Sequence, residues 1–100
     1  ASCMRVTWTN AARAQLQNIH DYIAVDSTGY AMRLVERIIR RSEQLATYPE
    51  SGAIVLEYDS PEIREVLEGS YRIIYRLRSN RIDVVAVVHG ARLLPDAPPA

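Results

Sequence analysis

The chain has no lysine, a single cysteine and no long apolar run, and each shortage removes a class of function before any motif is read. All 12 basic residues are arginine, so no lysine can be tuned into a general base, and proton transfer would fall to histidine, a carboxylate or tyrosine. The all-arginine usage reads either as compositional bias or as a preference for forks that grip carboxylate and phosphate. Cys3 stands alone, so no intrachain disulfide can form and nothing points to an oxidising compartment. Cytoplasm is the expected location. No segment reaches the roughly 18 apolar residues of a membrane span, and the N-terminus lacks the basic-then-apolar order of a signal peptide. There is no glycine-rich phosphate loop, no serine nucleophile in a local motif and no internal repeat. His20 and His89 are too isolated to make a good metal site, so neither a metal nor a cofactor is expected. The formal net charge of zero argues against strong non-specific attraction to nucleic acid.

What is present is the composition of one globular domain, 48% apolar and 24% charged over 100 residues. It is expected to run over residues 4–94, with a proline-rich and mobile tail at 95–100. Ala1, Ser2 and Cys3 precede Met4, the expected native start, and carry no weight in the fold.

The most informative segment is Tyr71 to His89, which reads as a β-hairpin about a two-residue Ser79-Asn80 turn, Asn80 taking the positive φ of a primed turn. Side chains alternate across a strand, so the pairing divides the hairpin into two faces. One face carries Tyr71, Ile73, Tyr75, Leu77, Ile82, Val84, Ala86 and Val88 and must be buried. The other carries Arg72, Ile74, Arg76, Asp83, Val85, Val87 and, just past the strand, His89. That arginine-edged, half-apolar surface is the candidate binding site.

Upstream, Met4 to Thr9 alternates as a half-buried strand, and Thr9 or Asn10 caps a helix with the stripe Ala12, Leu16, Ile19 and Ile23. Asp26 to Gly29 supplies a turn and a new cap for a second helix from about Tyr30 to Thr47, stopped by Pro49. Its stripe is Ala31, Leu34, Val35, Ile38, Ile39, Ser42 and Leu45, and its arginines 33, 37, 40 and 41 read as a solvated outer face. Ala53 to Tyr58 and Ile63 to Glu68 are expected strands, the second joined to Tyr71 by a Gly69-Ser70 turn that sets Glu65 beside Ile74 and near Arg72 and Arg76. The order predicts an α+β domain: an N-terminal strand, a two-helix hairpin, then an antiparallel sheet of three to four strands. Two layers result, with the helices on one sheet face and the other open.

The segments VTWTNAARAQLQNIHDYIAVDS, YPESG and IREVLEGSYRIIYRLRSNRIDVVAVVHGAR together resemble the RelE/ParE superfamily of bacterial type II toxins, over nearly all of Met4 to Leu94. The resemblance implies a two-layer toxin fold and a growth inhibitor neutralised by a cognate antitoxin in a toxin-antitoxin hetero-oligomer, with no membrane role. The helix-rich N-terminal half and the HGAR segment look more like the ParE branch, which implies inhibition by binding DNA gyrase and no catalytic residues. The implied contact surface for target or antitoxin is Arg72, Ile74, Arg76, Val87, His89 and Arg92, with toxicity and neutralisation competing for it. The alternative is a RelE-like ribosome-dependent mRNA endonuclease, in which Glu65, Arg72, His89 and Arg92 would supply base, phosphate clamp and acid. A degenerate copy of the toxin fold is a third reading. Against the nuclease stand Glu65 and Glu68 where RelE is lysine-rich, and the lack of a tyrosine after Arg92.

Overall fold

A computed structural model describes residues 4–100; Cys3 and the two residues before it lie outside the described part. The elements are β1 (Arg5–Trp8), α1 (Asn10–Ala24), α2 (Thr28–Glu43) with a 3₁₀ extension Gln44–Ala46, β2 (Ala53–Ile54), β3 (Ile63–Glu68), β4 (Tyr71–Leu77) and β5 (Arg81–His89). They form the expected two-layer α+β arrangement, with one five-stranded mixed sheet ordered β1-β5-β4-β3-β2. β1 pairs parallel to β5, and the other neighbours are antiparallel. The helical hairpin is the crossover that carries the chain from the β1 edge to the far side of the sheet.

Both helices start where the sequence places a cap. The Thr9 hydroxyl accepts the Ala12 amide at 3.1 Å, and the Ser27 hydroxyl accepts the Tyr30 amide at 3.1 Å. Each satisfies one of the donors that a helix start leaves unpaired. Replacing Thr9 by alanine is expected to cost about 1 kcal/mol, read in urea unfolding as a lower midpoint at unchanged slope. The stripes of α1 and α2 pack on the sheet through Ala12, Leu34, Ile38 and Leu45, against Val66, Ile73, Tyr75, Ile82, Val84 and Val87.

The hairpin register holds from Leu77↔Ile82 through Tyr75↔Val84 and then slips, because Ile74 pairs with Ala86. Val85 is the extra residue of a β-bulge, and it shares a face with Ala86. Every β5 side chain beyond it therefore lies on the side opposite to expectation. Val87 joins the helix-side core, while Ala86 and Val88 join Ile74 on the reverse face. Asn80 takes no positive φ. The turn is held instead by the Arg78 amide on the Arg81 carbonyl at 2.9 Å and by both arginines on Asp83.

Two further expectations are corrected on the reverse face. The strand predicted at residues 53–58 pairs only at Ala53 and Ile54, after which the chain turns at Asp59, whose φ of 47° is one that aspartate tolerates. This turn drops Val55 and Tyr58 over Ile74, Val85, Ala86 and Val88, and Leu94 joins them. The tail at 95–100 also meets this face: the Tyr58 hydroxyl donates to Pro95 O at 2.8 Å and Arg76 Nη2 to Pro99 O at 3.4 Å. The reverse face is thus covered at its centre by a loop and the C-terminal segment rather than left open.

Candidate functional site

β4 carries no bulge, so Arg72, Ile74 and Arg76 point to the same side, as its alternation predicts. The two-residue Gly69-Ser70 turn, with Gly69 at φ 58°, sets Glu65 opposite Ile74 as expected. Glu65 then reaches Arg72, with Nε–Oε1 at 2.5 Å and Nη2–Oε2 at 3.0 Å. Glu57, delivered by the turn after β2, closes on the other side of the same guanidinium with contacts of 2.9 and 3.0 Å. One cation thus answers two anions. The Arg72 hydrogen bonds hold the Glu57 carboxyl down from 4.5 to about 2, and the Glu57 and Glu65 bonds push the Arg72 guanidinium up. The Arg72 side chain is 11% exposed. Arg76 lies beside it, 3.5 Å from Glu62, with its Nε buried and unpaired.

His89 and Arg92 are elsewhere. The bulge pairs His89 with Tyr71, and the two rings meet edge-to-face at 5.5 Å on the helix side of the sheet. The expected grouping of Glu65, Arg72 and His89 on one face does not form. Of the six residues expected at a contact surface, Ile74 and Val87 are buried, Arg72 and Arg76 are largely covered, and His89 and Arg92 are exposed. His89 Nδ1 accepts the Ala91 amide at 3.2 Å, which puts the proton of the neutral ring on Nε2.

The two exposed residues rim a cleft of about 340 Å³ between α1 and the ends of β4 and β5, lined also by Gln15, Asn18, Ile19, Tyr22, Tyr71, Val87 and Val88. Gln15 accepts the Val87 amide at 2.9 Å and ties α1 to β5 beside the bulge. Burial pushes the Tyr71 phenol up. A second hollow, about 400 Å³, opens between α1 and α2 over Trp8, Leu16, Val35 and Ile39, with Arg13 and His20 at its edge. Among the described residues no group of three or more metal-ligating side chains comes together, and no helix is long and apolar enough to cross a membrane.

No sequence pattern points to Glu57 in the site, because its placement depends on the turn at Asp59. Alternation places Tyr71 on the core face, and the bulge in β5 brings His89 to the same side.

Residues 6–94 match the family described as ParE toxin of type II toxin-antitoxin system, parDE. The chain belongs to this family. This ParE-family toxin is 34% identical over 90 residues to Toxin RelE2 of Caulobacter vibrioides, covering 89% of this chain and 98% of the relative. It is 32% identical over 91 residues to Putative toxin Y4kP of Sinorhizobium fredii, with 91% and 93% covered. Its fold is similar to that of a chain of the chromosomal ParDE toxin-antitoxin system from P. aeruginosa, with TM-score 0.73, 23% identity and coverage of 89% and 98%. It is similar too to a chain of the RelBE2 toxin-antitoxin complex from Mycobacterium tuberculosis, with TM-score 0.68, 18% identity and coverage of 91% and 95%. The protein is a type II toxin of the ParE/RelE superfamily. Names of both branches occur among the relatives.

Proposed function

We propose that this toxin arrests growth by binding DNA gyrase rather than by cutting mRNA, and that a cognate antitoxin neutralises it by covering its surface in a hetero-oligomer. The observation that carries the reading is the state of Arg72. A phosphate clamp needs guanidinium donors free to meet phosphate oxygens, and four donor contacts of Arg72 are already spent on Glu57 and Glu65. With two carboxylates to one guanidinium, this cluster repels a phosphodiester instead of holding it. The other half of a nuclease set, His89 with Arg92, sits around the sheet from Glu65 and cannot share a 2′-hydroxyl and its phosphate with it. A protein that acts by binding needs none of these groups to converge.

The test is plasmid supercoiling by purified gyrase with increasing toxin. Supercoiling is expected to fall with toxin concentration and to recover when the cognate antitoxin is added in equal amount. Undiminished supercoiling at saturating toxin overturns the reading.

A further inference from the structure

The cleft at the ends of β4 and β5 differs from the Arg72 cluster in one respect that bears on ligands. The amide of Asn18, the hydroxyls of Tyr22 and Tyr71, the Nε2 of His89 and the guanidinium of Arg92 have no hydrogen-bond or ion-pair partner among the described residues. These groups are rich in donors. The His89 ring, with Nδ1 taken by the Ala91 amide, offers its Nε2–H, and the Tyr71 phenol keeps its proton because burial disfavours the phenolate. No carboxylate lines the cleft and Arg92 is its one formal charge. The floor is apolar, made by Ile19 and Val87, and Tyr22 stands at the mouth 82% exposed.

We infer that this cleft receives an acidic segment of a protein partner, a bulky apolar side chain entering over Ile19 and a neighbouring carboxylate meeting Arg92, Tyr71 and His89. Charge complementarity selects the occupant: unsatisfied donors around one cation call for an oxyanion acceptor. A pocket of about 340 Å³ with an apolar floor suits one side chain beside that acceptor. Exposed tyrosine and arginine around such a pocket are the residue types that dominate binding energy at protein interfaces. A peptide carboxylate is favoured over a nucleic-acid backbone because a single arginine gives no basic track along which successive phosphates could lie. The inference rests on the reading that this toxin works by binding a protein, and it names the chemistry of what is bound.

The full chain, labelled with ¹⁵N, is titrated with the peptide acetyl-Asp-Phe-Glu-amide, with the neutral acetyl-Asn-Phe-Gln-amide and with adenosine monophosphate, while backbone amide shifts are followed by NMR. The acidic peptide is expected to move the Tyr71, His89 and Arg92 amides saturably, in the millimolar range. Binding should weaken by about tenfold or more for the neutral peptide and for Arg92→Gln, the loss of one charge-assisted fork. Arg92 is exposed and outside the core, so Arg92→Gln should fold; Tyr22→Ala, also at an exposed position, is expected to weaken binding independently. Equal binding of the two peptides, tighter binding of the nucleotide, or no shifts at these amides overturns the inference. Wild-type inhibition of gyrase without peptide binding sinks the cleft alone, and peptide binding without gyrase inhibition sinks the choice of target alone.

Discussion

Arg72→Ala is expected to lower the stability of the folded chain by about 2–3 kcal/mol at neutral pH, because it leaves two carboxylates facing each other beside the sheet. Removing one partner of a buried ion pair typically costs about 3–5 kcal/mol, and exposed pairs are worth about 1 kcal/mol or less. Both regimes meet here, since Glu65 is 16% exposed and Glu57 is 45% exposed. The pH dependence separates this account from simple loss of packing. The folded pKa of Glu57 is depressed from 4.5 to about 2, so its contribution is complete above about pH 4.5 and is lost as pH falls toward 2. The gap between wild type and Arg72→Ala should therefore narrow over that window, in urea unfolding curves taken at successive pH values. A gap of constant size down to pH 2 would mean that the arginine contributes through its stem alone. Glu57→Gln with Arg72→Ala should cost less than the sum of the two single changes, since the second carboxylate then has no charge to leave unpaired.

The second large effect is expected at Gly52, in the loop between the 3₁₀ turn and β2. A β-carbon built there would stand 2.5 Å from the Tyr75 hydroxyl and 2.6 Å from the Glu65 backbone oxygen, distances no relaxed packing reaches. Tyr75 is fully buried, donates to Pro49 O at 2.8 Å and accepts the Gly52 amide at 3.0 Å, so the loop is bound to the core through this one hydroxyl. Gly52→Ala forces either the loop or β3 to move. We expect a loss of about 3 kcal/mol or more, the scale of an overpacked core site combined with broken buried hydrogen bonds. Tyr75→Phe should cost less, about 1–3 kcal/mol for two backbone groups deprived of a partner. Nor should it rescue Gly52→Ala, because the clash with the Glu65 carbonyl remains. Rescue would show that the Tyr75 hydroxyl alone forbids the β-carbon. Since β3 presents Glu65 to Arg72, a shift there should also disturb the Arg72 cluster.

How far the fold was legible follows from which interactions set it. The helix caps, the helix stripes apart from Ile39, which is 39% exposed, the extent of β3, β4 and β5, and the Gly69-Ser70 register depend on local periodicity and turn chemistry, and these agree with the structure. The pairing of β1 with β5 is non-local, and no pattern in Arg5–Trp8 names its neighbour. The bulge at Val85 was illegible for a different reason. Residues 84 to 88 are all small or branched and apolar, so shifting the register by one residue exchanges one apolar side chain for another and costs little in pattern. That single residue decides the site, because it moves His89 from the Arg72 side to the Tyr71 side. The turn at Asp59 likewise left no sign beyond an aspartate before a serine and a proline, yet it delivers Glu57 to Arg72 and Tyr58 to the reverse face. That Arg72 and Arg76 share a face could be read from alternation alone; their covering and neutralisation could not, since these need carboxylates from β3 and from the 55–60 turn.

The division between binding and catalysis is tested most directly by adding purified toxin to a translation reaction and mapping the 5′ ends of the mRNA on the ribosome. With Arg72 held between two glutamates and His89 on the other side of the sheet, the transcripts should remain intact at every toxin concentration used in the supercoiling test. New ends at fixed positions within ribosome-occupied codons, abolished by Arg72→Ala or His89→Ala, would contradict that account.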